Sequence, residues 1–308
     1  MQNVQDNSRL TTLTSDNIDS DLVIASLKQD QVVLVKGLNS DQADSLMKSV
    51  CTTLDLAQSL ETQATYASSL GHRDNVGEYY MSVNKRDDYQ YIAIHSEGSS
   101  FINMQLASFY CYENTTDGGE TILMNVNPEG EIWDKLQEQV RRGKSARPLT
   151  PAEVRQIKVM ARLNMPEDTL KEDDEILKQS EVAPGFTVYN ALAKPQKSHS
   201  VLLDREVYAY WDSVGCIDHD CANEFEDFLR AHDLLKLPDH VIDTATLDDS
   251  AVRRIKHYGK KYEQLFKDNI IYKMQPGDFV IINNLTWAHG VNNWTPESGV
   301  RKVAAAFA

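Results

Sequence analysis

Cysteine is scarce in this sequence, with four residues in 308, too few for a disulfide framework to stabilise a chain of this length. Cys216 and Cys221 lie close to His219, and a metal site is one interpretation of that group. Their spacing matches no zinc-binding pattern, however, so free structural thiols are the favoured interpretation.

Long apolar runs are also missing. No stretch of the sequence approaches the roughly 20 apolar residues that a membrane-spanning helix needs. Residues 1–20 are polar and lack the basic and apolar regions of a signal peptide. We therefore expect a cytoplasmic protein without a membrane partner.

Positive charge is in the minority, with 31 Lys and Arg against 46 Asp and Glu and a formal net charge of −15. Nucleic acids and anionic membranes are bound by clustered positive charge. Neither partner is expected, and the negative charge mainly indicates solubility. The sequence does not determine the oligomeric state.

Internal repeats, low-complexity tracts and Pro/Gly/Ser linkers are absent as well. The chain is 41% hydrophobic and 25% charged, as in a globular protein with an apolar core. Nothing divides it, so we expect a single domain over residues 1–308.

Strands dominate the elements that the sequence predicts. About ten short runs rich in β-branched and aromatic residues are bounded by turn residues, which favours a sandwich or barrel. The predicted strands are Val32–Val35, Tyr91–His95, Leu106–Tyr112, Thr121–Asn125, Gly185–Asn190, Ser200–Leu203, Glu206–Trp211, Ile270–Met274, Asp278–Asn283 and Val300–Ala308.

Helices are predicted where apolar residues recur at the spacing of one helical face. The middle of the chain, at about residues 127–270, is expected to be a mostly helical insertion, so the fold class is mainly β with helices (α+β). The predicted helices are Ala43–Leu54 after a Ser40/Asp41 cap, Asn127–Gly143, one from Pro151 after a Thr150–Glu153 capping box, one at Phe225–Leu229 and one at Ile255–Phe266.

Two His-x-acid triplets are candidate metal ligands. Non-haem iron oxygenases hold Fe(II) with two His and one carboxylate, and two of these ligands often come from such a triplet. His95-Ser96-Glu97 ends a strand-like run, which would aim the ligands from a rigid element. His72-Arg73-Asp74 follows a glycine in a polar stretch, so we interpret His72 as a surface histidine.

The third ligand would be His289, which follows the apolar run Phe279–Ile282. A single histidine at such a position is also compatible with a core residue whose hydrogen bonds are satisfied. Taken without its context, His289 is better interpreted as such a core residue.

Several motifs in order resemble the 2-oxoglutarate dioxygenase family that includes taurine dioxygenase and clavaminate synthase. The resemblance extends from about Val32 to Ala308, nearly the whole chain. It consists of the His95/Glu97 pair, Gly118-Gly119-Glu120-Thr121 with Thr121 lying 26 residues after His95, Gly277-Asp278 before a strand, Asn284 five residues before His289, and Arg301 12 residues after His289.

The resemblance implies a double-stranded β-helix (jelly roll) core and an Fe(II) site made of His95, Glu97 and His289. It also implies that 2-oxoglutarate and O2 are cosubstrates, with Arg301 and Thr121 binding the far carboxylate of 2-oxoglutarate. The implied activity is oxidation of a small-molecule C–H bond, with hydroxylation as the expected outcome and release of succinate and CO2.

Two positions depart from the family pattern. Asn283 stands where an Asp is usual, and Ala305 stands where some members carry a second arginine. The second difference leaves Arg301 as the main cation. Glu97 in place of Asp resembles the clavaminate synthase branch, which implies an amino acid or an amino-acid-derived substrate.

Substrate contacts are expected, by the same resemblance, from the segment before His95 and from the residues after Glu97. Packing of the tyrosines against the β core is an equal alternative. The substrate itself, its free or carrier-bound form, and desaturation or cyclisation instead of hydroxylation are all left open. Two other functions also stay open: a metal-dependent oxygenase that does not use 2-oxoglutarate, and a non-catalytic jelly-roll binding protein. The expected contact residues are Tyr79, Tyr80, Ser99, Ser100 and Phe101.

Overall fold

The computed structural model describes most of the chain. The described residues are 10–16, 18–69, 73–83, 89–98, 103–129, 133, 137–161, 169–210, 219–237 and 262–308.

Fifteen strands and six helices lie in these ranges. The strands are β1 (Thr11–Thr14), β2 (Val32–Lys36), β3 (Met81–Ser82), β4 (Ile92–His95), β5 (Leu106–Asn114), β6 (Thr121–Val126), β7 (Glu138–Ser145), β8 (Glu175–Ala183), β9 (Phe186–Ala193), β10 (Ser198–Ser200), β11 (Arg205–Val207), β12 (Phe266–Tyr272), β13 (Phe279–Asn283), β14 (Trp287–Val291) and β15 (Arg301–Phe307). The helices are α1 (Ser20–Asp30), α2 (Ser40–Thr53), α3 (Ala57–Ser69), α4 (Pro151–Ala161), α5 (His219–Ala231) and α6 (Tyr262–Leu265).

Two sheets form the centre of the molecule. One has six strands in the order β1-β2-β13-β5-β15-β3, and the other has four in the order β12-β6-β14-β4. Apart from the parallel pair β1 and β2, neighbouring strands in both sheets are antiparallel. Strands distant in the chain are neighbours in space, so the chain crosses between the sheets repeatedly.

The two sheets share one apolar core. Val280, Phe109 and Val303 of the six-stranded sheet belong to the same buried cluster as Leu123 and Trp287 of the four-stranded sheet. Burying the inner faces of two sheets against each other is what stabilises a sandwich.

Helices cover the outer faces. Leu27 of α1, Met47 of α2 and Leu60 of α3 are buried with Ile281 on the outer face of the six-stranded sheet. On the other side, Phe225 of α5 packs with residues of the four-stranded sheet. The fold is therefore mainly β with helices, which confirms the predicted α+β class.

Most of the predicted elements are present within a few residues. The predicted helix at Ala43–Leu54 is α2, although its cap is Asn39, which exchanges hydrogen bonds with Gln42 in a capping box. The capping box of Thr150 and Glu153 is also present, at the start of α4. Local capping signals at the N-termini of α2 and α4 were sufficient to predict these two helices.

The predicted helix at Asn127–Gly143 is wrong over its second half. Glu138–Ser145 is the strand β7, which pairs with β9 along its whole length. Val140 is buried against Ala191 and Ala193. The apolar spacing resembled a helix, but hydrogen bonding to a strand remote in sequence prevailed, because tertiary pairing outweighs local propensity.

This sheet also corrects the expected composition of the insertion at residues 127–270. Strands β7, β9 and β8 form a three-stranded antiparallel sheet there, and β10 and β11 form a hairpin. The described insertion is therefore a mixture of strands and helices rather than mostly helical. Its assignment to a single domain with the rest of the chain stays a prediction.

Two smaller boundaries also differ from the prediction. Residues 201–204 form a turn instead of continuing a strand. Phe266 begins β12 instead of ending a helix, and the described helix before it covers only Tyr262–Leu265. Ile255 and Tyr258 lie outside the described residues. No helix in the described ranges is long and apolar enough to cross a membrane.

Candidate metal centre

Two histidines meet on neighbouring strands of the four-stranded sheet. His95, the last residue of β4, pairs directly with His289 in β14, and their ring centroids are 4.4 Å apart. Directly opposed residues of an antiparallel pair project to the same face. Trp287, two residues before His289, lies in the core between the sheets, so both rings point into that space.

A β-bulge aims His95. Between the pairs His95–His289 and Ile92–Val291, two residues of β4 lie opposite Gly290 alone. A Cβ on Gly290 would lie 2.7 Å from the Ile92 carbonyl oxygen, so only glycine permits this close approach. Bulges commonly redirect a side chain beside a functional site.

Glu97 completes the group. Its Oε1 atom lies 3.6 Å from His95 Nε2 and 3.9 Å from His289 Nε2. One ligand atom from each of the three residues lies within 4.8 Å of the other two. Two imidazole nitrogens and a carboxylate oxygen converging in this way can hold one divalent ion on one side and leave its other positions open.

The histidines are arranged to offer Nε2 to a metal. His95 Nδ1 lies 2.9 Å from the Ala93 carbonyl oxygen, a contact that fixes the tautomer in metal-binding histidines. His289 is 5% exposed, and its Nδ1 has no partner among the described residues. The donor set therefore fits a first-row divalent metal.

Protonation also favours metal binding. Burial, followed by the charge of the His95 side chain, lowers the pKa of the His289 imidazole to about 3. Burial alone would raise the pKa of the Glu97 carboxyl, but interactions with His95 and Arg73 outweigh it and lower this pKa to about 2. At neutral pH the imidazole is neutral and the carboxylate ionised, as ligands must be.

Arg73 is a cation beside this carboxylate. Its Nη2 atom lies 3.6 Å from Glu97 Oε1, and its guanidinium lies over the ring of Phe307 at 5.5 Å. In the sequence, Arg73 is marked only as the middle residue of the alternative triplet His72-Arg73-Asp74. No local pattern links Arg73 to Glu97, so the contact was not predictable.

Asn284 holds the backbone of Glu97. Its Oδ1 accepts a hydrogen bond from the Glu97 amide at 3.0 Å, and its Nδ2 donates to the Glu97 carbonyl at 2.9 Å. Asn284 is fully buried. The sequence marked Asn284 only by its spacing from His289.

The Gly118-Gly119 turn makes room for Arg301. Gly119 has a φ of +75°, and a Cβ there would lie 2.9 Å from Arg301 Cδ. A Cβ on Gly118 would lie 2.0 Å from the Asn293 carbonyl oxygen. Arg301 Nε donates to the Gly119 carbonyl at 3.0 Å. The glycines are needed because the arginine and a neighbouring backbone approach so closely.

Arg301 has guanidinium N–H groups that no described residue accepts from. Val303, Ala305 and Phe307 of β15 face the core between the sheets, and the alternation of the strand turns Arg301 to the same side. Within the described part of the chain its only hydrogen bond is the one to Gly119, and it forms no ion pair there. Burial lowers its pKa to about 10, so it stays charged at neutral pH.

Thr121 lies on the inner face of β6. It is 3% exposed, and it is two residues from Leu123, which lies in the core between the sheets. Its Oγ1 has no partner among the described residues. A buried hydroxyl without a partner costs free energy unless a ligand supplies one.

Tyr79 and Tyr80 lie on the other side of the six-stranded sheet. Both belong to the buried cluster that the outer face of this sheet forms with α1, α2 and α3. The Tyr80 hydroxyl lies 2.8 Å from Ser108 Oγ. Phe109, the next residue of β5, points the opposite way, and its ring centroid is 4.8 Å from that of His289. This placement favours the packing interpretation of the two tyrosines.

Other predicted residues are outside the described ones. Ser99, Ser100 and Phe101 are among them, as are His72 and the side chains of Cys216, Cys221 and His219. Asp74 is exposed, and its backbone pairs with Ser82. The two cysteines with described side chains, Cys51 and Cys111, are buried and free.

No protein-family model matches the chain. No curated protein matches it either. Solved structures similar to it include AAD-2 in complex with Mn(II) and N-oxalylglycine, at 13% identity and a TM-score of 0.40, covering 96% of this chain and 93% of that one.

Two further similar structures are of PvcB. One is described as an Fe, α-ketoglutarate-dependent oxygenase from an isonitrile synthetic pathway, at 11% identity and a TM-score of 0.40, covering 96% of this chain and 81% of that one. The other, from Pseudomonas aeruginosa, has 10% identity and a TM-score of 0.42 with the same coverage. Likeness this distant does not identify a family, and we base the function on the residues of the site.

Proposed function

We propose that this protein is an Fe(II)- and 2-oxoglutarate-dependent oxygenase that oxidises a C–H bond of a small molecule. The observation that carries the proposal is the convergence of one ligand atom each from His95, Glu97 and His289 within 4.8 Å. Two histidines and one carboxylate are the ligand set of non-haem iron oxygenases. The double-stranded β-helix core, the cytoplasmic location and the single domain are parts of the same proposal.

Iron bound by these residues would supply the activation of O2, with decarboxylation of 2-oxoglutarate to succinate and CO2. The chain itself contributes the positions of the ligands. His289 is nearly closed off from solvent, while the side chains of His95 and Glu97 are 21% and 20% exposed. Small molecules would therefore approach from the side of His95 and Glu97, and Phe109 would exclude water behind His289.

The far carboxylate of 2-oxoglutarate would be bound by Arg301. A guanidinium can donate two parallel hydrogen bonds to a carboxylate, and Arg301 uses only its Nε in the described part of the chain. Thr121 Oγ1, which also lacks a partner there, would be a second donor. Both side chains face the space between the sheets, as do the ligands.

The substrate is proposed to be an amino acid or a related metabolite, with hydroxylation as the outcome. Glu97 occupies the position that a halide would need on the metal, so insertion of oxygen is expected rather than halogenation. Tyr79 and Tyr80 are left out of the substrate site because they pack behind the six-stranded sheet. Ser99, Ser100 and Phe101 remain its proposed lining.

The test is a screen under defined metal loading. Protein loaded anaerobically with Fe(II) would be given O2, 2-oxoglutarate and a panel of amino acids and related metabolites, and succinate would be measured. We expect some compounds to stimulate succinate formation. Metal binding without any effect of 2-oxoglutarate would indicate an oxygenase that does not use it. Failure to bind any divalent metal would leave a non-catalytic binding protein.

A further inference from the structure

Asn284 lies where two segments of the chain cross between the sheets. It follows β13 of the six-stranded sheet and precedes β14 of the four-stranded sheet. The second crossing segment leads from β4 to β5, and it contains Glu97 and Met104. Asn284 is fully buried at this crossing.

The side-chain amide of Asn284 connects the two crossings. Its Oδ1 accepts from the Glu97 amide at 3.0 Å, and its Nδ2 donates to the carbonyls of Glu97 at 2.9 Å and of Met104 at 2.8 Å. The Asn284 backbone amide donates to the Gln105 carbonyl at 2.9 Å. Both amide hydrogens of the side chain are therefore used.

The contact with Glu97 is like the pairing of two strands. In an antiparallel ladder, one residue offers its N–H and its C=O to the same partner. The Asn284 amide takes the place of that partner just beyond His95, where β4 ends. It thereby fixes the Glu97 peptide on both sides, and with it the direction in which the carboxylate leaves the backbone.

We infer that Asn284 is a positioning residue that sets the Glu97 carboxylate against His289, and that metal affinity depends on its amide. This inference rests on the proposed metal site and deepens it. The residue five positions before one ligand holds the backbone of another ligand 187 residues away in sequence. Residues that orient metal ligands contribute about 10–100-fold to affinity.

Aspartate is the sharpest substitution. Asn284→Asp keeps the size and the acceptor toward the Glu97 amide. It replaces the Nδ2 donor with a carboxylate oxygen that would face the carbonyls of Glu97 and Met104. Two hydrogen bonds are lost and a repulsion is added.

The neighbouring residue offers a matched control. Asn283 is also fully buried, but its side chain contacts Ser200 and the Leu285 amide instead of Glu97. Aspartate can be accepted at this position because the Ser200 hydroxyl can donate as well as accept. Asn283→Asp therefore makes the same chemical change without touching a metal ligand.

The experiment is a titration of wild-type, Asn284→Asp and Asn283→Asp proteins with Co(II) alone, followed by its visible absorption. Thermal unfolding of the metal-free proteins checks that each one folds. We expect Asn284→Asp to bind Co(II) at least about tenfold more weakly, with an altered spectrum at saturation. Asn283→Asp is expected to match the wild-type protein in Co(II) affinity and in the spectrum at saturation. A role confined to stability would lower the unfolding temperature and leave the affinity and the spectrum of the folded protein unchanged.

Three outcomes would overturn the inference. In the first, Asn284→Asp binds Co(II) with the affinity and spectrum of the wild type. In the second, Asn284→Asp and Asn283→Asp lose Co(II) affinity equally. Both outcomes leave the metal site itself intact. If the wild-type protein binds no Co(II), the metal site and the inference fail together. Should Asn284→Asp not fold, Asn284→Ala, which adds no charge, must show the same loss of affinity.

Discussion

His289 is a buried residue whose imidazole nitrogens need bonding partners. It is 5% exposed and lies between the rings of His95 and Phe109. Burying a polar ring is unfavourable unless its nitrogens are bonded. A metal ion at Nε2, shared with Glu97 and His95, would bond one of the two nitrogens.

Loss of any of the three ligands should remove most of the metal affinity. We expect His95→Ala, Glu97→Ala and His289→Ala each to lower it by more than about 100-fold, because removing residues that merely orient ligands already costs about 10–100-fold. Anaerobic titration with Fe(II) measures this. Asp74→Asn is the control, since Asp74 is exposed. Retained affinity in His95→Ala together with a loss in His72→Ala would reverse the assignment of the triplets.

Arg301 should be the main binding group for the far carboxylate of 2-oxoglutarate. A charge-assisted hydrogen bond contributes about 1.5–3 kcal/mol, so Arg301→Ala should weaken 2-oxoglutarate binding by at least about tenfold. Arg301→Lys should retain only part of the wild-type affinity for 2-oxoglutarate, because an ammonium group cannot donate two parallel hydrogen bonds to a carboxylate. Calorimetric titration of 2-oxoglutarate into metal-loaded protein without oxygen measures both.

Lys302 provides the control for this change. Its side chain is 67% exposed and lies 3.8 Å from Glu113, on the outer side of β15. Lys302→Ala should leave 2-oxoglutarate affinity unchanged, and metal affinity should be unchanged in all three variants. If Arg301→Ala binds 2-oxoglutarate as well as the wild type, another cation performs this role.

The turn between β5 and β6 is the element that contacts the Arg301 side chain. Gly119 adopts a left-handed φ of +75° there, and its carbonyl accepts the Arg301 Nε hydrogen bond. Two residues further on, β6 begins with Thr121. One turn therefore positions both groups that are proposed to bind 2-oxoglutarate.

Adding a methyl group to this turn should weaken 2-oxoglutarate binding. In Gly119→Ala the new Cβ would lie 2.9 Å from Arg301 Cδ, so the guanidinium must move, and we expect a several-fold loss of affinity. The left-handed φ adds a cost of about 1–2 kcal/mol to folding. Denaturant unfolding and 2-oxoglutarate titration separate the two effects.

Gly185→Ala isolates the cost of the backbone conformation. Gly185 has nearly the same φ, +76°, but a Cβ there would lie 3.6 Å from its nearest neighbour, in ordinary contact. It lies in the turn between β8 and β9. We expect a loss of stability from the backbone conformation alone, smaller than in Gly119→Ala, with no change in 2-oxoglutarate affinity. Equal affinities in the two alanine variants would show that crowding of Arg301 does not matter.

At the scale of the whole molecule, folding brings residues far apart in the chain together at the candidate metal centre. The candidate ligands lie far apart in the sequence, at the end of β4, just after it and on β14, and these strands meet only in the folded four-stranded sheet. An unfolded chain has no such site, so metal binding should stabilise the folded state.

Metal should therefore raise the unfolding temperature in a concentration-dependent way. At a free metal concentration of about 100 times the Kd, the gain is about 2.7 kcal/mol, which corresponds to a shift of several degrees in a chain of this size. Thermal unfolding with Mn(II) and with a chelator measures it. His289→Ala should show no shift, and a shift of equal size in that variant would place the metal elsewhere.

Local sequence patterns determined most of the secondary-structure elements. The strands around Val33, Ala107 and Ile281 are buried, short and rich in apolar residues, and such patterns depend only on near neighbours. The Thr150–Glu153 capping box acts within one helical turn and was predictable for the same reason. The resemblance to the 2-oxoglutarate dioxygenases implied roles for His95, Glu97, His289, Thr121 and Arg301.

Tertiary structure decided what local patterns leave open. Val140 has helical spacing in the sequence but lies in a strand, because β9 offers hydrogen bonds that only the folded chain brings near. Tyr80 lies on the helix-covered side of the six-stranded sheet, in the same buried cluster as Met47 of α2 and Leu106 of β5. The clamp of Asn284 on Glu97 joins residues 187 positions apart. Distances, partners and faces between such remote residues depend on how the sheets pack, which no short stretch of sequence specifies.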